Sequence, residues 1–237
     1  KPAAVGPNGQ FKIMDGWPGS GSGSSTFAGL TDVTVSSPKN GQVAVYDSIT
    51  SKWKNKYPVY FNAKDYGLID DSLTDNTTAL RSLIDRMPDG ATLYFPGWGK
   101  GYLISDSIVI DKSLTIQGDG DAHYKFYTVV HQPSKGATNI FFGSNDKNCF
   151  ILKSSATNKN PVINIRDLTI FNNDTTSNKP SGAGILIADN IGGSNIKNVT
   201  VGYFNTDVKV RSGNYVDFQN CSFISPWKYS VDLGNIG

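Results

Sequence analysis

The chain has 237 residues and a formal net charge of +2, long enough for one large domain or two modest ones. That charge argues against a polyanion-binding surface as the main function, so nucleic acid is not an expected partner. No window approaches 18 consecutive apolar residues and the start, KPAAVGPNG, lacks the apolar stretch of a signal peptide, so no membrane insertion is expected. The first residue is not Met, and we expect the chain to be an excerpt of a longer one.

All 20 acidic residues are Asp, while Gly, Ser, Thr, Asn and β-branched residues are plentiful, which predicts a mostly β chain. Cys149 and Cys221 fit no metal-ligand spacing, and Cys221 occupies an apolar slot, so it reads as a small buried hydrophobe. No metal and no cofactor is expected.

Residues 1–57 are expected to form a connector. GWPGSGSGSSTFAG is a Gly/Ser tract that cannot bury a core. After it, the strand-like runs DVTV and QVAVYD are parted by Pro38, Lys39, Asn40 and Gly41, which reads as a small β-hairpin, too small to be stable alone. In residues 58–118, TDNTTALRSLIDRM at 74–87 predicts a helix. Leu80, Leu83, Ile84 and Met87 share one face, Thr74, Asp75 or Asn76 can cap the start, and Pro88-Asp89-Gly90 stops it. ATLYFP and GYLISDSIVI follow as strands, and residues 119–237 alternate strands with Gly/Asn/Ser turns.

A repeat runs through that last part. IRDLTI at 165–170, IKNVTV at 196–201 and FQNCSF at 218–223 all read apolar, polar, Asn or Asp, apolar, Ser or Thr, apolar. From Asn198 to Asn220 is 22 residues; Ile187, Val210 and Leu233 recur at 23 and 23. Asp167 to Asn198 is 31, with NNDTTSNKPSGAG between them as an inserted loop. SLTIQG at 113–118 and TNIFFG at 138–143 look like weaker earlier copies. A period of 22–23 residues built from strand-like pieces predicts an all-β, parallel β-helix with three short strands per coil. Asp167, Asn198 and Asn220 are then corner residues in the left-handed conformation that Asn and Asp tolerate best, able to hydrogen-bond up the stack. Ile196, Val199 and Val201 point into the core.

FNAKDYGLIDDSLTDNTTALRSLIDRM, followed by GATLYFPGWGKGYLISDSIVIDKSLTIQGDG, resembles the opening segment of the pectate-lyase-like right-handed β-helix superfamily. Asp65, Gly67, Asp71, Thr74, Asp75, Thr77, Ala79, Ile84, Phe95, Pro96, Gly97, Tyr102 and Gly118 occupy matching positions. Ser72 departs from it, since the family usually has Gly after the acidic pair. The upstream GLTDVTVSSPKNGQVAVYDSITSKWKN looks like the connector of bacteriophage tail fibres and tailspikes. That resemblance implies a homotrimer in the virion tail, assembled in the host cytoplasm. It also implies an N-terminal part docked on other tail or baseplate proteins, and a β-helix that binds host-surface polysaccharide and often cleaves it. A purely structural or adhesive tail component, and a free secreted lyase or hydrolase, are the alternatives. The end, VDLGNIG, falls inside a repeat, so further coils are expected downstream.

Glycoside hydrolysis by paired carboxylates would here need two Asp. In TDVKVRS, with Val208 and Val210 facing in, Asp207, Lys209 and Arg211 are expected to face out. One coil on, Ser230 lies over Asp207 and Asp232 over Lys209, which puts Asp207 and Asp232 at ~8 Å, within the inverting range. The plain alternative is a surface ladder with Lys209 paired to Asp232. A lyase would instead use Lys209 and Arg211 to take a proton and neutralise a sugar carboxylate. Trp227, Tyr229 and Tyr203 lie near turns and can stack on sugar rings. GDGDAH at 118–123 has two Asp of a calcium-loop pattern and reads better as a turn, and His123 and His131 sit in an aromatic-rich loop suited to loop contacts or a trimer interface.

Overall fold

The structure is a computed structural model that describes residues 4–5, 11–12, 32–34, 42–56, 59–121, 136–173, 180–212, 214–224 and 226–234. The chain divides into two compact units, Lys1–Lys56 and Tyr57–Gly237. The Gly/Ser tract, the Pro38–Gly41 turn, His123 and His131 lie outside the described residues.

In the first unit, β1 (Ala4–Val5) pairs antiparallel with β2 (Phe11–Lys12). Three further strands, β3 (Val33–Thr34), β4 (Val43–Asp47) and β5 (Lys52–Lys56), form a sheet in the order β3-β5-β4. The hairpin is therefore β4–β5, antiparallel, while β3 runs parallel to β5, which corrects the pairing expected of DVTV with QVAVYD. The turn explains the choice: Asp47 Oδ1 accepts from the Ile49 amide and Ser51 takes φ 53°, so the chain reverses at 48–51.

The second unit opens with β6 (Tyr60–Asn62), β7 (Asp71–Asp75) and helix α1 (Thr77–Arg86). A first coil follows as β8 (Ala91–Tyr94), β9 (Gly101–Ile104) and β10 (Ile108–Ile110). The second is β11 (Leu114–Gln117), β12 (Asn139–Phe142) and β13 (Phe150–Leu152). In the third and fourth coils the first two strands run on through the corner, as β14 (Ile163–Asn172) with β15 (Ala183–Ile187), then β16 (Gly192–Gly202) with β17 (Thr206–Val210). The fifth is β18 (Asn214–Gln219), β19 (Ser222–Ile224) and β20 (Tyr229–Asp232). Every pairing between coils is parallel, which makes three stacked faces, and the chain is a parallel β-helix.

The first face runs β6-β8-β11-β14-β16-β18 and ends at the corner holding Asp167, Asn198 and Asn220, with φ of 59°, 52° and 51°. Asn198 Nδ2 donates to Asp167 Oδ1 at 2.7 Å and Asn220 Nδ2 to Asn198 Oδ1 at 2.9 Å, so the corner residues form the expected side-chain ladder. Ile196, Val199 and Val201 are buried in the core beside it. SLTIQG and TNIFFG turn out to be two halves of one coil, not two copies. Gln117 pairs with Arg166 before the corner and Asn139 with Thr169 after it, and residues 119–138 are inserted between them. Gly118 takes the place of Asp167 in that coil, because a Cβ there would meet the Asp167 carbonyl oxygen at 2.3 Å.

Helix α1 covers the N-terminal end of the stack with Leu80, Leu83 and Ile84 buried, and Met87 beyond its end buried as well. Its first turn is capped by Asp75, whose Oδ1 accepts from the Thr77 amide at 2.9 Å. Asn76 faces the other way and grips Ile69, accepting from its amide at 2.7 Å and donating to its carbonyl at 2.9 Å. Ser72 takes φ 63°, so this turn holds a left-handed residue that carries a side chain. Cys149 is fully buried; Cys221 is half-buried against the core.

Candidate functional site

The motif residues at the opening of the β-helix are occupied by structure. Asp71 accepts from the amides of Leu73 and Thr74 and from the Thr74 hydroxyl, and these bonds hold its carboxyl below the usual range. Asp75 also bonds Ser105. Asp119 accepts from the Tyr94 hydroxyl at 2.5 Å and the Gly97 amide at 2.9 Å, and it pushes the Tyr94 phenol up to about 12. Asp121 accepts from Thr200 at 3.1 Å. The two Asp of GDGDAH thus each tie one segment to another, and no group of three or more metal-ligating side chains occurs among the described residues.

The third face, β10-β13-β15-β17-β20, holds most of the sequence-derived candidates. Lys209 pairs in register with Asp232, and Lys209 Nζ lies 3.8 Å from Asp232 Oδ2. Arg211 is exposed beyond the strand end. Asp207 is different: it is 0% exposed, which corrects the expectation that it faces solvent. The reason is the corner. Thr206, Asp207 and Val208 are buried one after another, so the alternation of faces that places a strand side chain does not hold in the first residues after the turn. Neither oxygen of the Asp207 carboxyl closes a hydrogen bond. Burial pushes it up to about 8; the Phe204 amide lies near enough to oppose that rise without reaching bonding geometry. A carboxyl so enclosed cannot touch a polysaccharide at the surface, and the expected Asp207/Asp232 pair is not formed there.

The aromatic candidates separate as well. Trp227 is 57% exposed and Tyr229 46%, with Lys228 Nζ 5.0 Å from the Tyr229 ring centre. Tyr229 pairs with Thr206 and shares the alternate set of Val231 and Val208, so it lies along the edge of the fifth coil. Tyr203 takes φ 66° and packs its ring 5.6 Å from Phe171, half-buried. The Trp227 amide donates to the Phe204 carbonyl at 2.9 Å, so Trp227 lies one coil on at the turn that holds Tyr203.

Two features escaped the sequence reading. A polar cleft of about 560 Å³ is lined by Asp89, Asp111, Lys112, Ser155, Thr157 and Asn158. Lys112 there donates to the carbonyls of Ile84, Asp85 and Met87, closing the C-terminus of α1. The other is the outward side of the first face, a continuous polar strip in which Asn62, Tyr94, Gln117, Arg166, Lys197 and Gln219 stand in register, one per coil. Its signal in the sequence is the polar residue just before each corner position, Gln117, Arg166, Lys197 and Gln219.

A parallel stack of coils with a capping helix and an asparagine-lined corner defines a β-helix protein of the pectate-lyase type. Residues 60–225 match the family described as Rhamnogalacturonase A/epimerase, pectate lyase-like, and the chain belongs to that family. A stretch of 74 residues is 34% identical to the "Tail spike protein" of Shigella phage Sf6, covering 29% of this chain and 12% of that protein. Among solved structures the chain is similar to "Geobacillus virus E2 - ORF18", with a TM-score of 0.46, 16% identity, and coverage of 77% of this chain and 42% of that one. It is also similar to the Azotobacter vinelandii mannuronan C-5 epimerase AlgE4 A-module, with a TM-score of 0.46, 17% identity, and coverage of 73% and 52%. The chain thus spans only part of these relatives.

Proposed function

We propose that this chain is a segment of a bacteriophage tailspike that presents a β-helix to host-surface polysaccharide, in a virion tail and as a homotrimer. The residues 1–57 serve as the connector to other tail proteins, and the complete spike depolymerises the glycan it binds. The observation that carries this reading is the joint match of residues 60–225 to a pectate-lyase-like family and of 74 residues to a phage tail spike at 34% identity. Exposed Trp227 and Tyr229 beside Lys228 supply a stacking surface of the kind sugar rings use.

The adhesive reading without cleavage has one observation in its favour. Asp207 is enclosed and Asp232 is paired to Lys209, so the third face offers no free carboxylate pair at this place. The test is incubation of the chain with purified bacterial surface polysaccharides, following binding, reducing ends and unsaturated products, with light scattering for the trimer. Binding with product release supports the depolymerase; binding alone supports the adhesin; no binding by a correctly assembled trimer defeats both.

A further inference from the structure

The Asp207 carboxyl is fully buried, and among the described residues neither of its oxygens has a hydrogen-bond partner. In the pairing register it stands between Gly184 on β15, one coil below, and Ser230 on β20, one coil above. The space around Gly184 is tight: a Cβ there would meet Val201 Cγ1 at 2.4 Å, the Asp207 carbonyl oxygen at 2.9 Å and the Phe204 ring at 3.0 Å. An ionised carboxyl in such a place loses its water without gaining a partner, so the protonated form is the one that fits. No charged side chain acts on it. β15 presents Gly184, β16 Val201, the turn Phe204 and β20 Ser230. Lys209 and Asp232 lie two residues further along their strands and face each other at 3.8 Å. Cys149 occupies the same column two coils below, about 10 Å away, with its thiol pushed up by burial and therefore neutral.

The stretch around Asp207 also carries the third strand of the fifth coil. The Phe204 carbonyl accepts from the Trp227 amide at 2.9 Å, and the Asn205 carbonyl accepts from the amides of Lys228 at 2.9 Å and Tyr229 at 3.2 Å. Thr206, Val208 and Lys209 then pair with Tyr229, Val231 and Asp232. Among the described residues β20 pairs with no other strand, and Tyr229, Ser230 and Val231 are exposed on it. Residues 227–232 are thus held through residues 204–209, and the unpaired carboxyl lies in the middle of that seat.

We infer that Asp207 is a proton-controlled latch on the fifth coil: protonated, it stays enclosed and residues 204–209 hold Trp227–Asp232 on the stack; ionised, it draws toward water and releases them. Closed, the chain keeps a proton up to about pH 8; open, the same carboxyl gives it up above its ordinary 3.8. Opening therefore becomes more frequent as pH rises between those values and levels off above them. Trp227 and Tyr229, with Lys228 beside them, ride on the released segment. A ligand stacked on these rings is held in mild acid and lost toward pH 8. That consequence rests on the polysaccharide-binding reading above, whereas the latch itself does not.

The experiment follows hydrogen exchange of the full chain from pH 5 to pH 9, corrected for the intrinsic pH dependence of exchange, for the parent, Asp207→Asn and Asp207→Ser. The amides of Trp227, Lys228 and Tyr229 are read against those of β8 and β11. In the parent, opening at the three amides is expected to grow by up to about tenfold per pH unit, then to level near pH 8, while β8 and β11 stay better protected throughout. In the variants it should not depend on pH. Flat opening in the parent overturns the inference, as does growth that persists in a folded variant. Opening of equal frequency in β8 and β11 overturns it too, since the whole chain would then be unfolding. If neither variant folds, the parent's own rise and plateau decide. A parallel titration with purified bacterial surface polysaccharide separates the two readings. The expected exchange with no glycan bound at any pH leaves the latch standing and defeats the binding reading, while equal binding at pH 5 and pH 8 overturns the coupling of latch to ligand.

Discussion

Asn198 donates its side-chain amide to Asp167 at 2.7 Å and accepts that of Asn220 at 2.9 Å, with all three residues in the left-handed backbone region. One residue therefore does two separable things, holding the corner's φ and linking three coils. Asn198→Ala loses both and is expected to cost about 2–3 kcal/mol in urea unfolding, from the left-handed strain of Ala and the lost hydrogen bonds. Asn198→Gly keeps the φ and should cost less. Equal losses for the two variants would mean that the ladder, not the backbone, carries the effect.

Asp207 gives a pH dependence opposite to that of a salt-bridged carboxylate. Its folded value of about 8 lies above the ordinary 3.8, so between those values the folded chain holds a proton that the unfolded chain has released. Stability then falls as pH rises through that window, by up to about 1.4 kcal/mol per pH unit, and levels off above it. Asp207→Asn should remove the slope and be the more stable protein at pH 8. A parent and variant with parallel stability curves would refute the buried, protonated carboxyl.

Ser72 holds φ 63° at a turn where Gly meets no penalty. Ser72→Gly is expected to raise stability by about 0.5–1 kcal/mol. A loss on this substitution, read by thermal unfolding, would mean that the serine side chain contributes more than its backbone strain costs.

Gly118 sits where a Cβ would lie 2.3 Å from the Asp167 carbonyl oxygen and 2.6 Å from the Thr138 Cβ. Neither neighbour is the free end of a flexible side chain, so Gly118→Ala should cost about 1–3 kcal/mol or more and disturb the corner ladder beside it. An unchanged midpoint would show that the second coil yields locally.

The stack is written in the local residue pattern. The spacing of apolar residues and the Asn or Asp between them gave the coil period, the corner positions and the inward set, because a β-helix repeats one local rule and each copy must satisfy it on its own. The helix at the N-terminal end was legible for the same reason: Leu80, Leu83 and Ile84 show one face. Where that rule breaks, packing between coils sets the outcome. Asp207 follows a corner, and three successive buried residues there defeat the alternation that a strand sequence implies. SLTIQG and TNIFFG could be joined into one coil only when their pairing with β14 was seen, since a long insertion separates the halves. Arg166 and Lys197 are 31 positions apart in sequence and become neighbours because parallel stacking brings the same place in successive coils together. Local patterns set the unit; its stacking sets which side chains meet.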